Sequence, residues 1–195
     1  MGTLSELERE ASTCTRCALA AGRTTVVFGV GDPAADLMLV GEAPGHDEDL
    51  KGEPFVGRSG QLLDRLLWEE LGMRREQVYI GNVVLCRPPG NRDPLPEEIE
   101  SCRPYLEGKL AHIRPRVVLT LGRFAAQTLL DRKDPIGRLR GRTYPFRGGV
   151  LVPTFHPAAA LRGGGQVLAE MRADFVRAKT ALASATTAVG AEARG

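Results

Sequence analysis

Asp36-Leu-Met-Leu-Val-Gly-Glu-Ala-Pro-Gly45 is the stretch that decides the fold. Its first half is an unbroken apolar run, and its second half is a turn rich in glycine and proline. Such a run reads as a strand covered on both faces, since only a half-exposed strand needs polar residues in alternation. Gln77-Val-Tyr-Ile-Gly-Asn-Val-Val84 and Val117–Leu121 repeat the pattern, and Val150–Phe155 adds a fourth strand. Pro153 marks that last strand as short or lying at a sheet edge. Helices fill the intervals. Gln61–Leu71 sets Leu62, Leu63, Leu66, Leu67 and Leu71 on one face and stops at Gly72. Leu95-Pro-Glu-Glu opens a helix that runs through Cys102 to about His112. Arg123–Leu130 and about Gln166–Ala183 supply two more, and Leu4–Thr13 a short amphipathic one. Strands alternating with helices predict an α/β fold: a single-domain three-layer αβα sandwich with a central four-stranded parallel sheet. The domain is expected over 1–183, with 184–195, small and without periodicity, as a disordered tail.

The 195 residues suit one domain, and a hydrophobic share of 43% with a charged share of 26% is that of a soluble globular chain. No apolar run approaches the roughly 20 residues of a membrane span. Nothing at the N-terminus resembles a signal peptide, so a cytoplasmic protein, unattached to membrane and monomeric, is expected. The net charge of +2 hides a segregation. Asp32–Glu53 carries seven acids against Lys51 alone, whereas Arg103–Arg147 carries eleven basic residues against three acids. The second segment suits a polyanion, and the first suits chemistry done by carboxylates.

Cys14 and Cys17 form a clip, and Cys86 and Cys102 are the chain's other cysteines. In a cytoplasmic chain four thiols read as one metal site before they read as disulfides. Both a zinc ion and an iron–sulfur cubane use four thiolates, and the ligand count leaves both open.

In parallel sheets ligands bind beyond the carboxyl ends of the strands. The first strand runs there into Gly41-Glu42-Ala43-Pro44-Gly45-His46-Asp47-Glu48, the second carries Asn82, and the fourth delivers His156-Pro157. Asn82 is the sharpest of these, because an amide in an apolar strand costs free energy unless something satisfies it.

Gly41-Glu-Ala-Pro-Gly45, Gly52-Glu-Pro-Phe-Val-Gly57, Asn82 with Cys86-Arg-Pro-Pro89, and His156-Pro157 together resemble the family 4 uracil-DNA glycosylases, in order over roughly residues 4–180. The resemblance implies a 4Fe-4S cluster on Cys14, Cys17, Cys86 and Cys102. It also implies uracil-containing DNA as the partner, and hydrolysis of the N-glycosidic bond after the nucleotide is flipped into a pocket. On that footing Phe55 stacks on uracil, Asn82 reads its Watson–Crick edge, and backbone at Glu42 and Ala43 lines the pocket. His156 donates to uracil O2 as negative charge builds there. The first motif of family 1 enzymes holds an Asp where this chain has Ala43, so Glu42 and Glu48 are the candidates for the catalytic carboxylate. Leu161 is the expected wedge into the duplex. Arg162 and Arg87, together with Asn91 and Arg92, are the expected phosphate contacts. Ala158 and Ala159 depart from the Ser and aromatic residue often found there. Two other readings stand beside this one: a non-catalytic DNA-binding module stapled by iron–sulfur or zinc, and a superfamily variant that crosslinks to the uracil site. The latter carries a Lys-Arg-Arg-Ile-His insertion that is absent here.

Overall fold

The computed structural model describes the backbone of residues 3–192 and the side chains as far as residue 184. Six strands form one mixed sheet: β1 (Val30–Gly31), β2 (Leu37–Gly41), β3 (Tyr79–Asn82), β4 (Val117–Leu121), β5 (Tyr144–Phe146) and β6 (Gly149–Thr154), in the order β1-β3-β2-β4-β6-β5. The expected four parallel strands are the centre of this sheet, β3-β2-β4-β6. The expectation falls short at the borders, where β1 and β5 pair antiparallel with β3 and β6. Two- and three-residue strands are too short to show a period. β5 turns into β6 through Arg147 and Gly148, both at positive φ (50° and 82°), as a tight hairpin requires. β5 covers only Gly149–Leu151, so Pro153 lies where β6 has no outer neighbour to miss its N–H.

Every residue of β2, β3 and β4 is buried. Successive side chains of β2 serve opposite layers. Leu37 and Leu39 meet α3 (Arg58–Leu66) and α7 (Pro157–Glu192), through Leu63, Leu66, Met171 and Phe175. Met38 and Val40 meet α1 (Leu4–Ser12), α4 (Pro96–Ile113) and α5 (Arg123–Leu130), through Ala11, Tyr105, Leu106 and Ala125. This is the three-layer αβα arrangement. Beyond α3 the chain widens into a π turn over Leu67–Leu71 and stops at Gly72 (φ 67°). The short helices α2 (His46–Lys51) and α6 (Ile136–Leu139) complete the set.

The helix expected to end near Ala183 continues to Glu192, through an Ala-rich stretch of high helix propensity. Of the expected tail, the side chains of 185–192 and the whole of 193–195 lie outside the described residues. Among the described residues no helix is long and apolar enough to cross a membrane.

Candidate active site

The carboxyl ends of β2 and β3 lie side by side, with Gly41 paired to Asn82 in the parallel ladder. Asn82 is 2% exposed, and its Oδ1 is buried with no hydrogen-bond partner. A buried carbonyl oxygen without a donor costs about 1–3 kcal/mol, so this atom is poised for a donor that the protein does not supply. Gly41 lies against it. A Cβ at Gly41 would overlap Asn82 Oδ1 and stand 2.6 Å from the Phe55 ring, so only glycine lets the three groups meet.

Phe55 is buried and holds φ at 55°, a left-handed conformation that is costly for a bulky side chain. Two features hold it there. Its carbonyl rests on Gly60 in the first turn of α3, where any Cβ would collide with it. Glu48, in α2, accepts from the N–H groups of Val56 (2.9 Å) and Gly57 (3.2 Å) through Oε1, and from Gly45 (3.1 Å) through Oε2. Gly60→Ala is therefore expected to lower unfolding free energy by about 1–3 kcal/mol, measured by urea denaturation, through forced movement of the Phe55 turn. An unchanged midpoint would show that the turn is not seated on Gly60.

The Phe55 ring lies 5.7 Å from the His156 ring, centroid to centroid, tilted by 30°. His156 follows β6, and its Nδ1 accepts from the Ala158 N–H at 3.1 Å. Desolvation, with Arg162 adding to it and Glu48 opposing, pushes the imidazole down to about 4. The ring is thus neutral at pH 7 with Nδ1 occupied as an acceptor, which leaves its proton on Nε2 as a free donor. Phe55 thus lies beside both Asn82, across Gly41, and His156.

The two candidate carboxylates separate. Glu48 spends both oxygens on backbone N–H groups and so builds the Phe55 turn. Glu42, half-buried, has no side-chain hydrogen bond among the described residues, and burial, followed by the neighbouring Asp93, raises it to about 7 against the pull of Arg123. Asp93 and Arg123 form an ion pair at 3.1 Å. Sequence reasoning missed this pair, because one residue lies in a loop and the other opens α5. It also missed Asp49, buried and accepting from the N–H groups of Thr24 and Thr25. The Glu42 carbonyl accepts from Val84 N–H (3.1 Å), so this backbone group serves the fold.

The rim residues divide likewise. Leu161 is 44% exposed in the first turns of α7, with exposed Arg162 beside it, before the helix breaks at Gly164 (φ 74°, ψ −160°). Arg87 donates to Asn91 Oδ1 at 2.7 Å. Arg92, an expected phosphate contact, instead grips the buried Glu98 with two hydrogen bonds of 2.9 and 2.6 Å, because Glu98 is the one carboxylate enclosed at the start of α4.

Cys14, Cys17, Cys86 and Cys102 form no disulfide and line a single small cavity together with Arg23 and Tyr105. Burial pushes the Cys86 thiol up and that of Cys102 up to about 11. Among the described residues no three His, Cys, Asp or Glu side chains are gathered tightly enough for a single metal ion.

Comparison with known proteins places this arrangement. The profile of the Uracil DNA glycosylase superfamily matches residues 28–182. The chain is 47% identical over 183 residues to a type-4 uracil-DNA glycosylase of Archaeoglobus fulgidus, covering 90% of this chain and 91% of that protein. It is 47% identical over 151 residues to a type-4 enzyme of Thermotoga maritima, covering 76% and 78%. A type-5 uracil-DNA glycosylase of Thermus thermophilus is 37% identical over 157 residues, covering 73% and 66%.

Proposed function

Because the chain belongs to the uracil-DNA glycosylase superfamily, we propose that it is a uracil-DNA glycosylase of type 4, which hydrolyses the N-glycosidic bond of flipped-out uracil and leaves an abasic site. The observation that carries the reading is the unpartnered Oδ1 of Asn82 beside the Phe55 ring. A base laid on Phe55 meets that oxygen with an N–H donor and the Asn82 amide with an acceptor. Uracil offers this order at N3 and O4, and cytosine the reverse.

The chemistry follows from the remaining groups. The neutral His156 presents Nε2–H to uracil O2, where negative charge develops as the bond to the sugar breaks. The sugar becomes cationic, and Glu42, as a carboxylate, stabilises it or orients the attacking water. Glu48 holds the turn that carries Phe55. Leu161 enters the space the base vacates, while Arg162 and Arg87 meet phosphates.

The cysteines suit a 4Fe-4S cluster. Four cysteines line one cavity, and four thiolates are the donor set such clusters use. When bound, the cluster supplies a covalent staple between the N-terminal clip, the end of β3 and α4.

The test is a gel assay on a uracil-containing oligonucleotide, with alkali to cleave abasic sites. Strand cleavage confined to uracil is expected, and its absence would leave a DNA-binding module. With Glu42 at about 7, its ionised form predominates only above that pH, so excision is expected to rise as pH passes 7. Glu42→Gln is expected to abolish that limb and slow excision by about 10²-fold. A limb that persists in Glu42→Gln belongs to another group.

A further inference from the structure

One cation, Arg23, lines the cysteine cavity, and a second, Lys109, is buried on the helix that carries Cys102. Arg23, half-buried, donates from Nη1 to the Cys14 carbonyl at 2.6 Å and to the Cys86 sulfur at 3.6 Å. Lys109 is fully buried, donates from Nζ to the Phe28 carbonyl at 2.8 Å, and lies 4.9 Å from the centre of the Phe28 ring. Among the described residues neither forms an ion pair, while Arg92, Arg116, Arg140 and Arg172 all do. The one carboxylate that acts on Lys109 is Glu8, which is exposed on α1.

An enclosed ammonium costs several kcal/mol unless an anion shares its surroundings, and a carbonyl and a ring offset only part of that. Lys109 lies seven residues beyond Cys102 on α4, about two turns further along the same buried face. Four ionised thiols carry more negative charge than a cluster core cancels, so the loaded site is the anion that both cations lack. We propose that Arg23 and Lys109 are the counter-charges of the loaded cysteine site, Arg23 bonded to the Cys86 sulfur at its rim and Lys109 seated in the core behind Cys102. The inference rests on the iron–sulfur reading and goes beyond it, since it assigns residues that ligate nothing. Arg23 joins the clip to the end of β3. Lys109 joins α4 to the segment whose Val27 N–H bonds to the Leu85 carbonyl, next to Cys86. A hydrogen bond to a sulfur, as from Arg23, and a buried positive charge in the same low-dielectric core, as at Lys109, raise a cluster's reduction potential and slow its loss.

The test uses protein purified without oxygen: the natural chain, Arg23→Gln, Lys109→Gln and Lys109→Met, each measured for iron per chain, midpoint potential and rate of iron release to a chelator. Glutamine keeps a hydrogen-bond donor and removes the charge. Both Gln variants are expected to shift the potential negative and to release iron about tenfold faster, with Lys109→Met matching Lys109→Gln. If both Gln variants keep the natural potential and release rate, the proposal falls. If Lys109→Gln behaves as the natural chain while Lys109→Met alone is impaired, Lys109 is a hydrogen-bonding strap and its part of the proposal falls. A natural chain without iron would overturn the cluster reading itself, a result distinct from either. Should Lys109→Met prove insoluble, the Gln variants decide the matter alone.

Discussion

Replacing His156 by alanine is expected to slow uracil excision about 10²–10³-fold, or roughly 3–4 kcal/mol, with little change in affinity for uracil-containing DNA. The size follows from what the ring supplies. Its Nδ1 is taken by the Ala158 N–H, and its proton is therefore presented from Nε2 alone. That donor matters most when the bond to the sugar is nearly broken and O2 has become anionic, so the loss falls on the transition state. Because the imidazole titrates near 4, it stays neutral through the working range, and its protonation contributes no limb to the pH profile near neutrality. Single-turnover excision and equilibrium binding, measured side by side, check this. A variant that binds poorly but cleaves bound DNA at the natural rate would remove His156 from the chemistry.

The second large effect is expected at Asn82. Asn82→Asp replaces the amide donor by an oxygen, so uracil O4 meets an acceptor at a buried position. Sites built to bond a particular edge reject a mispaired analogue by about 10⁴-fold or more, and uracil excision in this variant is expected to fall on that order. Cytosine excision is expected to gain relative to uracil, since the substituted carboxyl group, when protonated, offers the order of donor and acceptor that cytosine requires. An unchanged preference for uracil would mean that Asn82 does not touch the base. On the proposed reading Phe55 and Gly41, which bring no polar side-chain atoms, shape the site and leave the choice of base to the amide.

Much of the scaffold was legible from apolar patterning. β4 and α5 fall on the residues expected of them, because a β-branched and Leu-rich run and a glycine boundary leave few alternatives. β1 and β5 were not legible, since strands of two and three residues carry no period, and their pairing depends on backbone turns at Gly31 and Arg147-Gly148. In the site, Asn82 announced itself through physics as a polar residue in an apolar strand. Phe55 did not: a phenylalanine in a Gly- and Pro-rich loop reads as ordinary packing, and only family likeness assigned it. Nor could the sequence divide the work of Glu42 and Glu48. That division rests on which backbone N–H groups reach a carboxylate, a property of the folded turn. Arg92 misled for a similar reason, as its partner Glu98 becomes enclosed only when α4 is in place.

The Gly41–Asn82 pairing reaches beyond architecture. Side chains on a strand alternate between faces, so a slip of one residue between β2 and β3 would swing the amide into the opposite layer and offer the base Gly81 or Val83 instead. If Asn82 reads the base as proposed, fidelity is a matter of alignment: the hydrogen bonds that zip two strands together upstream also decide which letter of DNA is erased.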